Sequence, residues 1–382
     1  MLNSLTIENF RGFGPAYTLS DLTRINLLVG KNNCGKTSVL EAIQLLAARM
    51  DHHALLAMLY RRGEFSSDPP RVRNSLPVEI SHLFHGHVLR VDQTAFRICG
   101  IYAGQVESLS VELRRSPDDQ WTSLEMDESN GRGGTELIAD AKALQNVELH
   151  LQWASGEPPN SILRMPVVGR GQLKGNGGGQ GWLGQGNLFS VVLLSPETAK
   201  EDWPLQAFAQ IQLTPDEEEV TQAVQTVAPN IERIAVSPVD VGERSGGVRY
   251  RFLVKQQSSD GPVPMGVLGD GVWHAFLLAL ALVRAKGGLL LVDDIDTGLH
   301  YSTMADLWRF VSELSAPDQL NVQVFATTHS RDCYESLAEV VKDDDVGSET
   351  VSIHRIEAGL DAPVSFYGAD VRYVAEHELE VR

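Results

Sequence analysis

Cysteine is scarce in this chain, and the few cysteines stand far apart. Three occur among 382 residues, at Cys34, Cys99 and Cys333. This spacing provides neither a disulfide framework nor a cysteine-based zinc site. We therefore expect a reduced, cytoplasmic setting for the protein.

Long apolar runs and an excess of positive charge are also missing. No apolar segment is long enough to span a bilayer, and no basic-then-apolar leader opens the chain, so we expect no membrane association. Lysine and arginine number 32 against 50 acidic residues, which gives a formal net charge of −18. Proteins whose whole surface binds nucleic acid need clustered lysine and arginine. The charge argues against that class and leaves room only for a local basic groove.

The strongest pattern that is present is a glycine-rich loop between an apolar strand and an amphipathic helix. The segment 25–29 predicts the strand and the segment 37–50 predicts the helix, and residues 30–37 between them have the spacing G-x-x-x-x-G-K-[ST]. Glycines let successive N–H groups turn toward phosphate oxygens, and the helix N-terminus adds positive dipole. A chance glycine-rich turn is the alternative, and the flanking strand and helix argue against it.

This loop predicts a nucleotide site. Lys36 would reach the β- and γ-phosphates, and the Thr37 hydroxyl would bind Mg²⁺. The nucleotide-binding residues that we predict here are Gly30, Lys31, Asn32, Asn33, Cys34, Gly35, Lys36, Thr37 and Ser38.

A second apolar run, 287–292, ends in the two carboxylates Asp293 and Asp294. Continuous apolar runs are typical of strands in parallel sheets, whose carboxyl ends present residues to ligands. Asp293 is predicted to be the Mg²⁺-associated Walker B carboxylate, and Asp294 the general base that polarises the attacking water. A strand that simply ends in a polar turn is the alternative.

A third apolar run, 322–328, leads to His329 and predicts a further buried strand. At the end of a strand, His329 could contact a γ-phosphate or orient water, whereas a lone histidine is often only a satisfied polar residue. Upstream, Gly269, Asp270 and Gly271 precede a predicted helix over 272–285. They form an anion-binding arrangement in principle, and helix capping by Asp270 is a compatible alternative.

The middle of the chain has a different pattern of apolar and polar residues. Residues 95–102, 108–114 and 147–153 alternate apolar and polar side chains, which predicts an antiparallel sheet with one buried face. The segment 169–187 has nine glycines in nineteen residues, and we expect a mobile loop there. The residues 214–217, Thr-Pro-Asp-Glu, predict a capping box at the start of a helix.

Taken together and in this order, the motifs resemble those of the ABC-type ATPases of the SMC/RecF/OLD group. The resemblance is closest to the short OLD-like ATP-binding proteins of bacterial anti-phage and toxin–antitoxin loci. The segments that carry it are 9–13 (Asn-Phe-Arg-Gly-Phe), the phosphate loop, 268–271 (Leu-Gly-Asp-Gly), 292–300 and 326–330.

The resemblance implies an α/β P-loop NTPase fold like that of ABC and SMC heads, with a mixed sheet flanked by helices and an inserted antiparallel β region. Segments 1–77 and 261–382 would be the two parts of the ATPase core. Segment 78–260 would be the inserted β and helical lobe.

The resemblance also implies a mechanism. A head-to-tail homodimer or a higher oligomer would hold each ATP, with Mg²⁺, between the phosphate loop of one subunit and Gly269–Gly271 of another. Arg11 would lie near the nucleotide, Asp293 at Mg²⁺, Asp294 as the base, and His329 at the switch position. ATP binding would close the dimer, and hydrolysis would reset it.

Three departures from the family refine this expectation. Asp294 stands where the family usually has glutamate, and its shorter arm predicts slow hydrolysis. Leu268 stands directly before the first glycine of the signature, where many members have serine. About fifty residues follow Ser330, too few for the Toprim nuclease domain of full OLD proteins, so a nuclease or toxin activity would come from a partner effector.

Two functional hypotheses follow from the sequence. The first is an ATP-driven sensor or switch that controls an effector protein in anti-phage defence. The second is a RecF-like DNA-repair ATPase that binds duplex DNA as an ATP-bound dimer, which the charge of −18 favours less. A transporter ATPase is a third option, weakened by the segment 9–13 and by the inserted sheet. The absence of heptad runs argues against a chromosome-organising SMC protein.

Overall fold

The structure is a computed structural model. It describes residues 1–65, 75–116, 147–156, 161–168, 172–174, 190–198, 203–240, 248–257, 259, 261–342, 347–357 and 359–377.

The strands and helices of the described residues are as follows. The strands are β1 (Leu2–Glu8), β2 (Tyr17–Leu19), β3 (Ile25–Val29), β4 (Ser75–Glu79), β5 (Ala95–Tyr102), β6 (Gln105–Arg115), β7 (Val147–Ser155), β8 (Ser161–Val168), β9 (Gln172–Lys174), β10 (Val191–Leu194), β11 (Ile231–Asp240), β12 (Val248–Gln256), β13 (Val263–Pro264), β14 (Leu289–Val292), β15 (Gln323–Thr328), β16 (Val351–Arg355) and β17 (Val364–Tyr367). The helices are α1 (Lys36–Ala48), α2 (His52–Arg61), α3 (Trp203–Ile211), α4 (Pro215–Val227), α5 (Asp270–Arg284), α6 (Met304–Ser315), α7 (Arg331–Lys342) and α8 (Ala369–His377).

The chain divides into two compact units. The first unit comprises Met1–Leu22, Asn33–Leu188 and Glu357–Pro363, and the second comprises Thr23–Asn32, Phe189–Ile356 and Val364–Arg382. The chain therefore passes from the second unit into the first within the predicted phosphate loop, between Asn32 and Asn33. The division into segments 1–77, 78–260 and 261–382 concerns the linear order of the chain, and it stays a prediction.

The first unit is built on an eight-stranded antiparallel sheet in the order β2-β1-β5-β6-β7-β8-β9-β4. Along β5, buried and more exposed side chains alternate, as a sheet with one covered face requires. The structure therefore confirms the antiparallel sheet that the alternating segments predicted. Strand β5 has the predicted bounds, and β6 and β7 contain the other two predicted segments. Helices α1 and α2 belong to the same unit.

The second unit is built on a six-stranded sheet in the order β10-β14-β15-β3-β16-β17. Neighbouring strands from β10 to β16 are parallel, and β17 is antiparallel to β16. Every residue of β3, β14 and β15 is buried, because parallel strands are covered on both faces. The carboxyl ends of these three strands lie side by side at one edge of the sheet.

The core of the second unit lies between this sheet and its helices. Helix α5 is buried on nearly all sides, which fits its almost uninterrupted apolar sequence. Phe276 on α5 packs against Phe208 and Phe252, with ring centroids 5.7 and 4.7 Å away. Phe252 belongs to β12 of a small antiparallel sheet, β11-β12-β13, so this sheet shares the core of the unit.

The predicted capping box at residues 214–217 is wrong in its hydrogen bonds, although Pro215 does open α4. The Thr214 hydroxyl donates to the Ile211 carbonyl oxygen at 2.6 Å, and Glu217 accepts from the Leu213 N–H at 2.7 Å. Helix α3 ends only three residues before Thr214. The carbonyl oxygen of its last residue accepts the hydrogen bond of the hydroxyl that would otherwise cap α4.

Two further expectations concern segments of the chain. The glycine-rich segment 169–187 lies outside the described residues except for 172–174, which form β9. Among the described residues, no helix is both long and apolar enough to cross a membrane.

Candidate nucleotide site

Three strands of the second unit deliver predicted site residues to one sheet edge. Asp293 directly follows β14, His329 follows β15, and Gly30 follows β3. Strand β15 pairs in parallel with both of the others, so the three carboxyl ends are neighbours. The first residues of the phosphate loop thus leave the sheet at the edge that presents the carboxylate and the histidine. Open α/β sheets bind ligands at this edge.

Thr327, which is fully buried, connects the Asp293 carboxylate to the Asp294 backbone. Its hydroxyl donates to Asp293 Oδ1 at 2.7 Å and accepts the Asp294 N–H at 2.8 Å. Asp294 has a φ of 52°, a left-handed conformation that is uncommon outside glycine. The adjacent strand therefore holds both the Asp293 side chain and the Asp294 backbone.

Asp294 and His329 face each other in a more open position. His329 Nδ1 lies 3.4 Å from Asp294 Oδ1, and their side chains are 59% and 39% exposed. A carboxylate and an imidazole that are both accessible to water can orient a water molecule between strand ends. This arrangement suits the predicted roles of base and switch, which stay predictions.

Behind the carboxylates, Asp296 and Ile295 connect the turn to its surroundings. The Thr328 hydroxyl donates to Asp296 Oδ1 at 2.6 Å, and His274 Nε2 lies 2.9 Å from the Ile295 carbonyl oxygen. Burial lowers the pKa of His274 below its ordinary value of 6.5, against opposing effects of the Ile295 hydrogen bond and Asp296. The turn after β14 is therefore fixed from both β15 and α5.

The predicted anion-binding segment Gly269–Gly271 forms the start of α5. Gly269 is the N-cap residue with a φ of 99°, and Asp270 is already in the first turn, so capping by Asp270 is wrong. A side chain at Gly271 would place its Cβ 3.0 Å from the Gly298 carbonyl oxygen. The helix start therefore packs against the loop that follows Asp294, and the segment needs glycine for this close approach.

The second half of the phosphate loop lies in the first unit and runs into α1. Gly35 is the N-cap residue with a φ of 107°, no described side chain caps the helix, and its first turn is free of acidic residues. A Cβ at Gly35 would lie 2.7 Å from the Phe13 ring. Lys36 and Ser38 are buried, whereas Lys31, Asn32 and Asn33 are exposed, and Cys34 and Thr37 are intermediate.

Each unit by itself offers groups that fit a magnesium-bound nucleotide. In the first unit, the N-terminus of α1, without a capping side chain or an acidic first turn, favours a phosphate anion, and the Thr37 hydroxyl is an oxygen ligand. In the second unit, the Asp293 carboxylate supplies oxygen atoms of the kind that Mg²⁺ prefers.

Arg11 has well-defined partners in the first unit. Its Nε lies 2.7 Å from Glu41 Oε2, and its Nη1 lies 2.5 Å from Glu64 Oε1. Glu41, on α1, is fully buried and also accepts from Arg62 at 2.8 Å. The structure thus places Arg11 in an ion-pair cluster on the helix that follows the loop, and its predicted contact with nucleotide stays a prediction.

Sequence reasoning missed several residues that shape these groups. Thr327, Asp296 and His274 fix the turn after β14, and Glu41 and Glu64 bind Arg11. The sequence did contain a signal for Thr327, because a polar residue there comes near the end of a predicted apolar strand, two positions before His329. Glu41 gave none, since a single glutamate in a helix is most often solvent-exposed.

Two families match separate parts of the chain. Residues 1–141 match the family described as AAA ATPase domain. Residues 217–332 match the family described as AAA domain, putative AbiEii toxin, Type IV TA system. The first match includes the phosphate loop, and the second includes the Gly269 segment, both carboxylates and His329.

The chain is a P-loop ATPase. The family matches and the parallel sheet with its phosphate loop confirm the predicted α/β P-loop NTPase fold. The matched ATPase domains imply that the chain binds nucleotide.

Individual proteins are similar over nearly the whole length. A Helicobacter pylori protein named ATP/GTP phosphatase is 22% identical over an aligned length of 390 residues, gaps included, and the alignment covers 99% of each chain. The SMC head domain from Thermotoga maritima is 12% identical with a TM-score of 0.40, over 96% of this chain and 98% of that one. A Pyrococcus furiosus Smc head bound to the C-terminal domain of ScpA is 10% identical with a TM-score of 0.47, over 99% of each chain.

Proposed function

We propose that this ATPase is an ATP-driven switch that controls a partner effector. The observation that supports it best is the meeting of Asp293, Asp294 and His329 at the sheet edge from which the Gly30 loop emerges. In this proposal the loop residues 30–38 hold the triphosphate, and Lys36 stabilises the charge of its β- and γ-phosphates. Thr37 and Asp293 hold Mg²⁺, which neutralises phosphate charge when it is bound.

Hydrolysis in this proposal depends on Asp294 and His329. Asp294 accepts a proton from the attacking water, and His329 orients that water or the γ-phosphate. Aspartate is one methylene shorter than the glutamate usual in the resembling proteins, so its carboxylate stands farther from the water. Turnover is therefore slow, and the ATP-bound state is long-lived.

The ATP-bound state is proposed to be a head-to-tail homodimer. The Gly269–Gly271 segment of one copy contacts the phosphates held by the loop of another. Gly269 and Asp270 are exposed at the start of α5, which leaves this helix end accessible to a second copy. The net charge of −18 opposes self-association, so in this proposal the dimer depends on contacts to the bound nucleotide.

The effector is proposed to be a nuclease or a toxin that acts in anti-phage defence in the cytoplasm. The description of the family that matches residues 217–332 names a putative toxin of a type IV toxin–antitoxin system. That description connects this type of ATPase domain to toxin–antitoxin systems, which supports a role of the protein in such a system.

Replacement of Lys36 tests the switch. We expect Lys36→Ala to abolish ATP binding and ATP-dependent dimerisation, because the lysine supplies the charge that faces the phosphates. Binding is measured by isothermal titration with ATP and, because the Helicobacter pylori relative is named an ATP/GTP phosphatase, also with GTP. Light scattering after size exclusion measures the dimer.

The matched control is Lys286→Ala, which removes a surface lysine that is 60% exposed. It should bind nucleotide and dimerise like the wild type. Wild-type affinity in Lys36→Ala would reject the proposal, and a wild type that stays monomeric with ATP would reject its dimer.

A further inference from the structure

We propose that Thr327 is a positioning residue of the nucleotide site, which holds the Asp293 carboxylate and the Asp294 backbone in one fixed arrangement. This inference rests on the proposed function, because it assigns Asp293 to the Mg²⁺ ion. Thr327 precedes His329 by two positions, and none of the motifs assigns it a role.

The hydrogen bonds of Thr327 have only one consistent direction. The Asp294 N–H can only donate, so the Thr327 oxygen accepts it at 2.8 Å. The single hydroxyl proton is then directed to Asp293 Oδ1 at 2.7 Å. Asp293 Oδ1 accepts this hydrogen bond, which restrains the rotation of the carboxylate and so the direction of its second oxygen.

The main chain of Thr327 adds a third connection to the same turn. Its carbonyl oxygen accepts the Ile295 N–H at 3.0 Å. Asp294, between these bonds, has the left-handed φ of 52°, which persists in a non-glycine residue only when its surroundings hold it. Thr327 thus makes three hydrogen bonds to the turn that carries both carboxylates.

Burial makes this role difficult to replace. Thr327 is completely inaccessible to solvent, so water cannot take over the bonds of a missing hydroxyl. Groups that orient a metal-binding side chain typically change metal affinity or activity by roughly 10–100-fold when they are removed.

The next residue in the strand provides a matched control. Thr328 is also completely buried, but its hydroxyl donates to Asp296 Oδ1 at 2.6 Å and accepts the Ser330 N–H at 3.0 Å. A valine at either position keeps the shape and removes the hydroxyl. The two substitutions differ in which carboxylate loses its partner.

The experiment titrates Mg²⁺ into protein with a fluorescent ATP analogue and measures the Mg²⁺ concentration at half-saturation. We expect Thr327→Val to raise this concentration by roughly 10–100-fold. Thr327→Ser, which keeps the hydroxyl, should keep the wild-type value, and Thr328→Val, which leaves both bonds of the Thr327 hydroxyl in place, should raise it much less than Thr327→Val does. Nucleotide affinity without Mg²⁺ should be the same in all four proteins.

The outcomes separate this inference from the proposed function. A wild type that binds the analogue with no dependence on Mg²⁺ would overturn the proposed function, and the inference with it. Mg²⁺-dependent binding that Thr327→Val leaves unchanged, or that Thr328→Val weakens equally, would overturn the inference alone. Where the valine variant does not fold, Thr327→Ser and Thr327→Ala are compared, because both lack the methyl group and only serine keeps the hydroxyl.

Discussion

Asp294 is one of the two residues, with Leu268, at which this chain departs from the proteins that its motifs resemble. Its backbone is held by Thr327, and its carboxylate lies 3.4 Å from the imidazole of His329. In the proposed mechanism, the length of the side chain decides how near the carboxylate comes to the attacking water, because Thr327 holds the backbone.

Substitutions of Asp294 should change turnover in opposite directions. Asp294→Asn removes the base and should lower the rate of phosphate release by roughly 10²–10⁴-fold, with ATP still bound. Asp294→Glu restores the longer arm and should raise the rate above that of the wild type. Phosphate release under saturating ATP measures both variants.

Asp306→Asn is the matched control, because Asp306 is an exposed aspartate paired with Arg309 on the surface of α6. It should release phosphate at the wild-type rate. Turnover of Asp294→Asn equal to that of the wild type would exclude Asp294 as the base.

The residues that carry chemistry at strand ends were predictable, and their supporting contacts were not. Asp293 and Asp294 follow an apolar run, and that local pattern was enough to place them at the end of a strand. Thr327 lies 34 positions from Asp293, so its bond depends on β14 and β15 being neighbours. No local pattern in the sequence specifies this pairing.

At the scale of elements, the start of α1 depends on a single glycine. Gly35 has a φ of 107°, and an added Cβ would lie 2.7 Å from the Phe13 ring. Both the left-handed conformation and the close ring require a residue without a side chain. Any other residue at position 35 would be strained in this loop and would force the Phe13 ring to shift.

We expect Gly35→Ala to destabilise the protein and to weaken nucleotide binding. The left-handed conformation alone costs roughly 1–2 kcal/mol for an alanine, and the contact with Phe13 adds to it. Urea denaturation measures the free energy of unfolding, and titration with ATP measures binding. Gly12→Ala is the control, since no described atom lies within 4 Å of the added Cβ. Equal effects of the two substitutions would contradict this account of the loop.

Helix α5 gives the protein a predicted dependence on pH. Burial lowers the pKa of His274, so the unfolded chain binds the proton more readily than the folded one. The contribution of His274 to stability is complete above pH 6.5, the ordinary value, and is lost as the pH falls toward the lower folded pKa. The slope from this one group is at most about 1.4 kcal/mol per pH unit.

Thermal or urea unfolding between pH 7.5 and about 5 measures this slope. His274→Gln keeps a donor for the Ile295 carbonyl oxygen and removes the titration. Its free energy of unfolding should fall less steeply below pH 6.5 than that of the wild type. An identical slope in both proteins would show that His274 is not the responsible group.

Elements were predictable where one local period decides them. The alternation at residues 95–102 gave the bounds of β5, because a strand with one covered face needs only that period. The capping box at 214–217 failed because the Thr214 hydroxyl had a second acceptor, the Ile211 carbonyl oxygen at the end of α3. A choice between two nearby acceptors depends on the path of the chain, which the four residues do not encode.

At the scale of the whole molecule, the phosphate loop joins the two compact units along the chain. Gly30, Lys31 and Asn32 belong to the second unit, and the loop continues into the first. Asp293 belongs to the second unit, while Lys36 and Thr37 belong to the first. The proposed function requires these residues, distant in the sequence, to act on one magnesium-bound triphosphate.

Electron–nuclear double resonance of Mn²⁺ in place of Mg²⁺ tests this claim most directly. With ATP and the wild-type protein we predict a tightly bound Mn²⁺ that shows coupling to ³¹P, since the metal and the phosphates share one site. Lys36→Ala should lose nucleotide and metal together. Asp293→Asn should bind ATP but lose the tight Mn²⁺, whereas Asp306→Asn should keep the wild-type spectrum. A tight, phosphorus-coupled Mn²⁺ that persists unchanged in Asp293→Asn would contradict the account.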